Sequence, residues 1–142
     1  MQNTNIQGDK LLELIPHRNP MVMVDSLVEA SEDAATSTLL IKDDNIFVAD
    51  GELSEVGIIE HIAQTAALRI GYICQQEGLP VRNGFIGSFK KFKLLRKAKS
   101  GELLKTELKV MQSVGNITMI SAKVLANDEH IADCTMTVAL AE

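Results

Sequence analysis

The chain has 142 residues, of which 46% are apolar and 23% are charged, and its formal net charge is −5. This length suits one hydrophobic core and is short for two, so we expect one globular domain over residues 1–142. The acidic balance and an aromatic content of 4% argue against a nucleic-acid partner. The apolar stretches are too short for a membrane span, and the N-terminal residues do not resemble a secretory signal, so we expect a cytoplasmic protein.

The first half of the chain predicts a short helix, a β-hairpin and one long helix. Pro16 ends the short amphipathic helix, and Ser54 is the expected N-cap of the long one. The first half of the long helix has little polar surface, which predicts that it is buried on nearly all sides. The elements predicted here are a helix over 9–15, strands over 21–28 and 35–41, and a helix over 55–76.

The second half predicts four strands separated by turns rich in Gly, Asn, Asp and Ser. The last strand alternates most clearly, since Cys134, Met136 and Val138 share one face while Asp133 and Thr135 share the other. A long apolar helix followed by a meander predicts an α+β fold, in which an antiparallel sheet wraps round one central helix. The predicted strands cover residues 85–95, 103–111, 117–126 and 131–140.

Glu60 places a carboxylate in the first turns of this apolar helix. Such a position is costly unless the group is paired or used, although a helix N-terminal carboxylate can also be stabilised by the helix dipole. Gln64 lies one turn later on the same face. It could orient Glu60 for function, or it could only provide a hydrogen bond to the carboxylate. Gly57 could let a substrate approach the backbone, or it could only allow tight packing at the helix start.

The sequence predicts neither a metal nor another cofactor. Its three histidines lie far apart and there is no CxxC motif. Cys74 and Cys134 fall in a helix and a strand pattern, so we expect small, free core residues in a reducing compartment.

The histidines offer no clear substitute for a catalytic base. His61 points about 100° away from Glu60 round the helix axis, so we expect it to face another element. His17, between Pro16 and Pro20, is expected to make a structural hydrogen bond, and His130 to be solvated in a turn.

A basic segment follows the long helix. Six of the fourteen Lys and Arg residues lie between Lys90 and Lys99, and no acidic residue occurs from residue 78 to residue 101. A basic patch on an acidic protein suits an acidic protein partner or a phosphate arm. The alternative is a solvated strand edge on which Lys guards against aggregation.

Four segments resemble the (3R)-hydroxyacyl-acyl-carrier-protein dehydratases of FabZ and FabA type. Residues 14–25 (LIPHRNPMVMVD) resemble the opening of that family, and residues 60–64 (EHIAQ) resemble its central-helix segment. Residues 89–93 (FKKFK) and 100–102 (SGE) resemble the strand and turn that follow. The likeness covers most of the chain in the right order and implies a hot-dog fold.

This resemblance implies loss of water from a 3-hydroxyacyl thioester carried on the phosphopantetheine arm of an acyl carrier protein. In the family a His removes the proton from carbon 2, and an acidic residue on the central helix protonates the 3-hydroxyl. Glu60 matches that catalytic acid. Substrate-binding positions are expected at Phe47, Val56, Gly57 and Gln64, and carrier-protein-binding positions at Lys90, Lys91, Lys93, Arg96 and Lys97.

The family's catalytic His has no counterpart in the expected loop. Alignment from Glu60 without a gap puts that position on Ile46, and no His occurs between His17 and His61. The chain resembles diverged members of aryl-polyene and pigment pathways. The resemblance then implies a dimer, either with a second copy or with a related hot-dog protein whose His completes the site.

The sequence therefore does not determine whether the chain is catalytically active without a partner. A dehydratase subunit that lacks the base is the first interpretation. The alternatives are a hot-dog acyl thioesterase, in which Glu60 activates water, and a binding subunit for acyl-carrier proteins without turnover.

Overall fold

A computed structural model describes the backbone of residues 2–140 and the side chains of residues 4–140. Seven strands form one antiparallel sheet in the order β1-β2-β3-β8-β9-β10-β6, and three short strands form a second sheet in the order β4-β5-β7. The elements are β1 (Gln2–Gln7), α1 (Gly8–Leu12), β2 (Ser26–Ala30), β3 (Ala34–Leu40), β4 (Val48–Ala49), β5 (Glu52–Leu53), α2 (Glu55–Gln76), β6 (Gly84–Leu94), β7 (Ala98–Lys99), β8 (Leu103–Val114), β9 (Ile117–Ala126) and β10 (Glu129–Leu140).

Helix α2 is the centre of two apolar clusters. On one side Ile58 and Ile62 pack among the inward side chains of the large sheet, such as Met136 of β10. On the other side Leu68 and Tyr72 pack against the segment that contains α1 and β2. The sheet and this segment therefore cover the helix from two directions, which confirms the predicted α+β arrangement of a sheet round one long helix.

The start of α2 and its closest packing contact follow from three small residues. Ser54 caps the helix, as predicted, by accepting a hydrogen bond from the N–H of Gly57 at 3.2 Å. At Gly71 an added Cβ would lie 2.1 Å from the carbonyl oxygen of Leu14. The missing side chain at residue 71 thus brings the segment after α1 directly against the helix backbone.

Several element boundaries differ from the predicted ones. Helix α1 is shorter than the predicted 9–15, because Ile15 precedes a proline and avoids helical backbone angles. The predicted strand over 21–28 begins only at Ser26. Residues 21–23 instead direct backbone groups at side chains of α2, as described below.

Four strands lacked a readable pattern in the sequence, namely β1, β4, β5 and β7. Strands β4, β5 and β7 have two residues each, which is too short for any periodicity. Strand β1 (QNTNIQ) is mostly polar. Cys74 and Cys134 are buried and free, as expected. No helix within residues 2–140 is long and apolar enough to cross a membrane.

Candidate functional site

Glu60 lies in the second turn of α2 on a face that the sheet does not cover. Its side chain is 30% exposed, although the helix around it is largely buried. The amide Nε2 of Gln64 donates a hydrogen bond to its Oε2 at 2.8 Å. The carboxylate is therefore accessible to solvent, and the hydrogen bond from Gln64 fixes its orientation.

Gln64 is fixed by the segment before β2. Its Nε2 also donates to the carbonyl oxygen of Met21 at 2.8 Å, and its Oε1 accepts from the N–H of Met23 at 2.6 Å. The amide is fully buried, and both of its N–H groups have acceptors. Because an amide flip would break both backbone contacts, Gln64 presents its N–H to Glu60 in a defined orientation.

His61 faces the same segment and points away from Glu60. Its Nδ1 lies 2.7 Å from the carbonyl oxygen of Met23, which can only accept, so Nδ1 carries the proton. The ring is fully buried, and this burial lowers the pKa of His61 to about 4. His61 is thus a neutral structural residue that faces another element, as predicted.

His17 lies beside Glu60, although the sequence suggested a structural role for it. Its Nε2 is 3.9 Å from Oε2 of Glu60, and its side chain is 31% exposed. Its Nδ1 is buried and has no hydrogen-bond partner within the described residues. The expected structural hydrogen bond of His17 is therefore absent from residues 4–140, and a second titratable side chain faces the carboxylate.

The backbone around His17 is held by its neighbour Arg18. The guanidinium Nη1 donates to the carbonyl oxygens of Ile15 at 2.9 Å and of His17 at 2.6 Å. The N–H of Met21 then closes a turn onto the carbonyl oxygen of Arg18 at 3.0 Å. Since Met21 is in turn bound by Gln64, the loop that contains His17 and the helix that contains Glu60 are tied together.

Ile46 stands where the family's His would be, between Asn45 and Phe47. Ile46 is half-exposed, and the side chain of Asn45 contacts Sδ of Met23 and the N–H of Phe47. Phe47 packs against the core beside the helix start. None of Asn45, Ile46 and Phe47 has a side chain that can act as the catalytic base.

The expected substrate-binding positions lie round the start of α2. A Cβ at Gly57 would come within 2.7 Å of Cβ of Phe47 and 2.8 Å of Cδ1 of Leu53, so this glycine allows tight packing. Val56 is well exposed in the first turn of the helix. Gln64 contacts Glu60 but is itself covered by residues 21–23.

The basic segment divides into two parts. Arg96 binds Glu102 through two hydrogen bonds of 3.0 and 2.8 Å and lies 3.2 Å from Glu129. Its guanidinium lowers the pKa of the Glu102 carboxyl. Lys97 lies 3.7 Å from Glu52 of β5, directly before the helix that contains Glu60.

Three further lysines of the segment face solvent on β6. Lys90, Lys91 and Lys93 are exposed, and they form no ion pair with any side chain in the part of the chain that the structure describes. A backbone irregularity in the pairing with β10 accompanies the positive φ of Lys91. Three cations are therefore available on one end strand of the sheet.

The fold and the site place the chain in the class of hot-dog proteins of dehydratase type. A family described as ApeP dehydratase matches residues 10–142, so the chain belongs to the ApeP-like family. The 3-hydroxyacyl-[acyl-carrier-protein] dehydratase FabZ of Natranaerobius thermophilus is 28% identical over 137 residues, covering 94% of this chain and 96% of that protein.

Two further relatives agree with this assignment. The FabZ dehydratase of Oceanobacillus iheyensis is 26% identical over 138 residues, covering 93% of this chain and 96% of its own. A chain of the dehydratase heterocomplex ApeI:P from Xenorhabdus doucetiae superposes with a TM-score of 0.86 at 14% identity, covering 93% of this chain and 91% of that chain. This last likeness shows the hot-dog fold.

Proposed function

We propose that the chain is a subunit of a dehydratase for 3-hydroxyacyl thioesters on a carrier protein, in which Glu60 is the general acid. The observation that carries this proposal is the placement of Glu60, a partly exposed carboxylate on an otherwise apolar helix, oriented by the buried Gln64. The position matches the acid of the family, and membership of the ApeP-like family supports the reaction class.

The chemistry requires two groups. The protonated carboxyl of Glu60 gives its proton to the 3-hydroxyl, which leaves as water while the bond between carbons 2 and 3 becomes a double bond. A base on another residue takes the proton of carbon 2. Within the described residues His61 is buried and neutral, and His17 faces the acid Glu60 itself at 3.9 Å. Asn45, Ile46 and Phe47, at and beside the position of the family's His, have no titratable side chain, so we assign this base to the histidine of a second subunit.

The exposed apolar surface near Glu60 supports assembly with that subunit. Met21, Val56 and Phe85 are exposed, and Glu60 is accessible to water in the single chain. A long acyl chain on this surface would remain in contact with water. A second hot-dog subunit would cover the surface, exclude water and enclose the acyl chain. The dehydratase heterocomplex ApeI:P has a chain of the same fold.

The exposed lysines suit the acidic carrier that the proposal requires. Lys90, Lys91 and Lys93 offer positive charge without an internal partner among the described residues. Lys97 and Arg96 continue this charge towards the start of α2, although Arg96 is engaged by two carboxylates. We therefore assign carrier docking mainly to the three lysines of β6.

A reconstitution assay tests the proposal. The purified chain, alone and with a co-expressed hot-dog protein that has the family's His, is incubated with a 3-hydroxyacyl-carrier protein, and products are followed by mass spectrometry. We expect enoyl product from the pair only. Glu60→Gln should lower its rate by about 10² or more, the usual contribution of a general acid.

The same helix offers a matched control. Glu55 lies one residue after the N-cap and is exposed, so Glu55→Gln removes one carboxylate of α2 and should leave the rate within about twofold. Enoyl product from the chain alone would contradict the assignment of the base to a partner. Free acid that depends on Glu60 would identify a thioesterase instead, and binding without turnover by the pair would identify a binding subunit.

A further inference from the structure

The space between Nε2 of His17 and Oε2 of Glu60 can hold one oxygen atom that makes a hydrogen bond to both side chains. The 3.9 Å between Nε2 and Oε2 is too long for a direct hydrogen bond. An oxygen placed off the line between them can lie about 2.8 Å from both atoms, which is an ordinary hydrogen-bond length. The two side chains therefore form a site for one small polar group.

The surroundings of His17 define its tautomer. Nδ1 is buried and has no partner within residues 4–140, so a proton on Nδ1 would be a buried donor without an acceptor. The tautomer with its hydrogen on Nε2 instead directs that hydrogen into the gap, where a ligand oxygen can accept it. Its N–H then faces the carboxyl group of Glu60 across the gap.

Gln64 helps to position both Glu60 and the loop that contains His17. Gln64 binds Oε2 of Glu60 directly, and it binds the backbone of Met21 and Met23, which continues from the loop of His17. Arg18 fixes the carbonyl oxygen of His17 from the other side. The spacing of the two groups is therefore built into the fold before any ligand binds.

We propose that His17 and Glu60 together bind the 3-hydroxyl of the substrate, and that His17 is a substrate-binding residue of this site. A hydroxyl oxygen fits between the two side chains, because its two lone pairs can accept from the Nε2–H of His17 and from the protonated carboxyl of Glu60, the acid of the proposed reaction. The identity of the thioester rests on the proposed function. Because the hydroxyl contacts both His17 and Glu60, the site favours acyl chains that have a 3-hydroxyl over chains that lack it.

A cavity beside His17 gives the rest of the acyl chain a place. It has a volume of about 240 Å³ and is lined by Leu14, Pro16, Ala67 and Phe85 together with polar residues of the segment before β6. His17 lies in its wall. An acyl chain whose hydroxyl sits between His17 and Glu60 can thus place carbon atoms against apolar side chains.

A binding comparison tests the role of His17. Two pantetheine thioesters of equal chain length, one 3-hydroxyacyl and one saturated acyl, are titrated into the assembled complex and into its His17→Phe and His17→Gln variants. For the wild-type protein we expect preference for the hydroxylated thioester. His17→Phe should reduce this preference about tenfold, the equivalent of one hydrogen bond. Because the preference is a ratio of two affinities, a change in acyl-chain packing that affects both thioesters equally does not alter it.

The control variants separate binding from folding. Gln places an amide N–H near the position of Nε2, so His17→Gln should retain part of the preference. His130→Phe changes a histidine on β10 and should alter neither affinity. An undiminished preference in His17→Phe would overturn the role of His17 while leaving the dehydratase proposal intact. Failure of the wild-type complex to bind either thioester would overturn both.

Discussion

Gln64 determines the arrangement of the site at the scale of single residues. It joins Glu60 to the backbone of Met21 and Met23, and His61 takes the remaining carbonyl of Met23. Two polar side chains of one helix thereby replace the strand partners that residues 21–23 lack. The cost of burying Gln64 is offset because each backbone group that it meets is a matching donor or acceptor, whereas Nε2 of His61 is buried without a partner among the described residues.

The burial of His61 predicts a specific pH dependence of stability. Its pKa is lowered to about 4 in the folded protein, whereas the unfolded chain protonates it near 6.5. The unfolded state therefore binds more protons between these values, and stability falls as the pH decreases from about 6.5 to about 4, by at most about 3 kcal/mol. Urea unfolding at a series of pH values measures this loss.

Substitution of the ring separates this effect from acid unfolding in general. His61→Asn keeps an N–H that can donate to Met23 and has no titration in this range. We expect the variant to be less stable at neutral pH and to show a flatter pH profile than the wild-type protein. Parallel profiles for the wild-type protein and His61→Asn would contradict this origin of the pH dependence.

At the scale of elements, the closest contact joins α2 to the segment after α1 at Gly71. Gly→Ala at an open helical position raises stability by about 0.5–1 kcal/mol. Here the added Cβ would lie 2.1 Å from the carbonyl oxygen of Leu14, so the segment must move. We expect Gly71→Ala to destabilise the protein by about 3 kcal/mol, as overpacking against backbone does, measured by thermal or urea unfolding.

The exposed Gln75 on the same helix gives the control. Gln75→Ala changes an exposed position four residues later and should shift stability by less than about 0.5 kcal/mol. A Gly71→Ala variant as stable as the wild-type protein would mean that the segment after α1 does not require this close approach.

Sequence patterns predicted the elements whose residues alternate regularly. Helix α2 and strand β10 lie where the sequence placed them, because Ser54 caps a continuous apolar helix and β10 buries alternate side chains along most of its length. Residues 21–25 were wrongly assigned to a strand, since the backbone groups of Met21 and Met23 bind side chains of α2 about forty positions later. The pairing of His17 with Glu60 was missed for the same reason. Local patterns contain no information on such distant contacts, although the motif that contains His17 was itself a signal.

At the scale of the whole molecule, the charge distribution separates two surfaces. The end strand β6 pairs with β10 on one side. Its first residues, including Phe85 and Ile86, are exposed and apolar, while its later residues include the lysines assigned to the carrier. This division predicts that subunit assembly and carrier docking use different parts of one strand.

Charge reversal on the basic part of β6 tests that division. Lys90→Glu/Lys91→Glu should raise the KM of the assembled dehydratase for a carrier-bound substrate about tenfold, because positive charge attracts the acidic carrier. The KM for the corresponding pantetheine thioester should not change, since that substrate lacks the carrier. This difference between the effects on the two KM values should decrease at high ionic strength.

The matched variant Lys10→Glu/Lys42→Glu makes the same change of charge at exposed positions outside β6 and should leave both KM values within about twofold. An equal rise in the two double variants would show that net charge, and not a docking site on β6, governs recognition of the carrier.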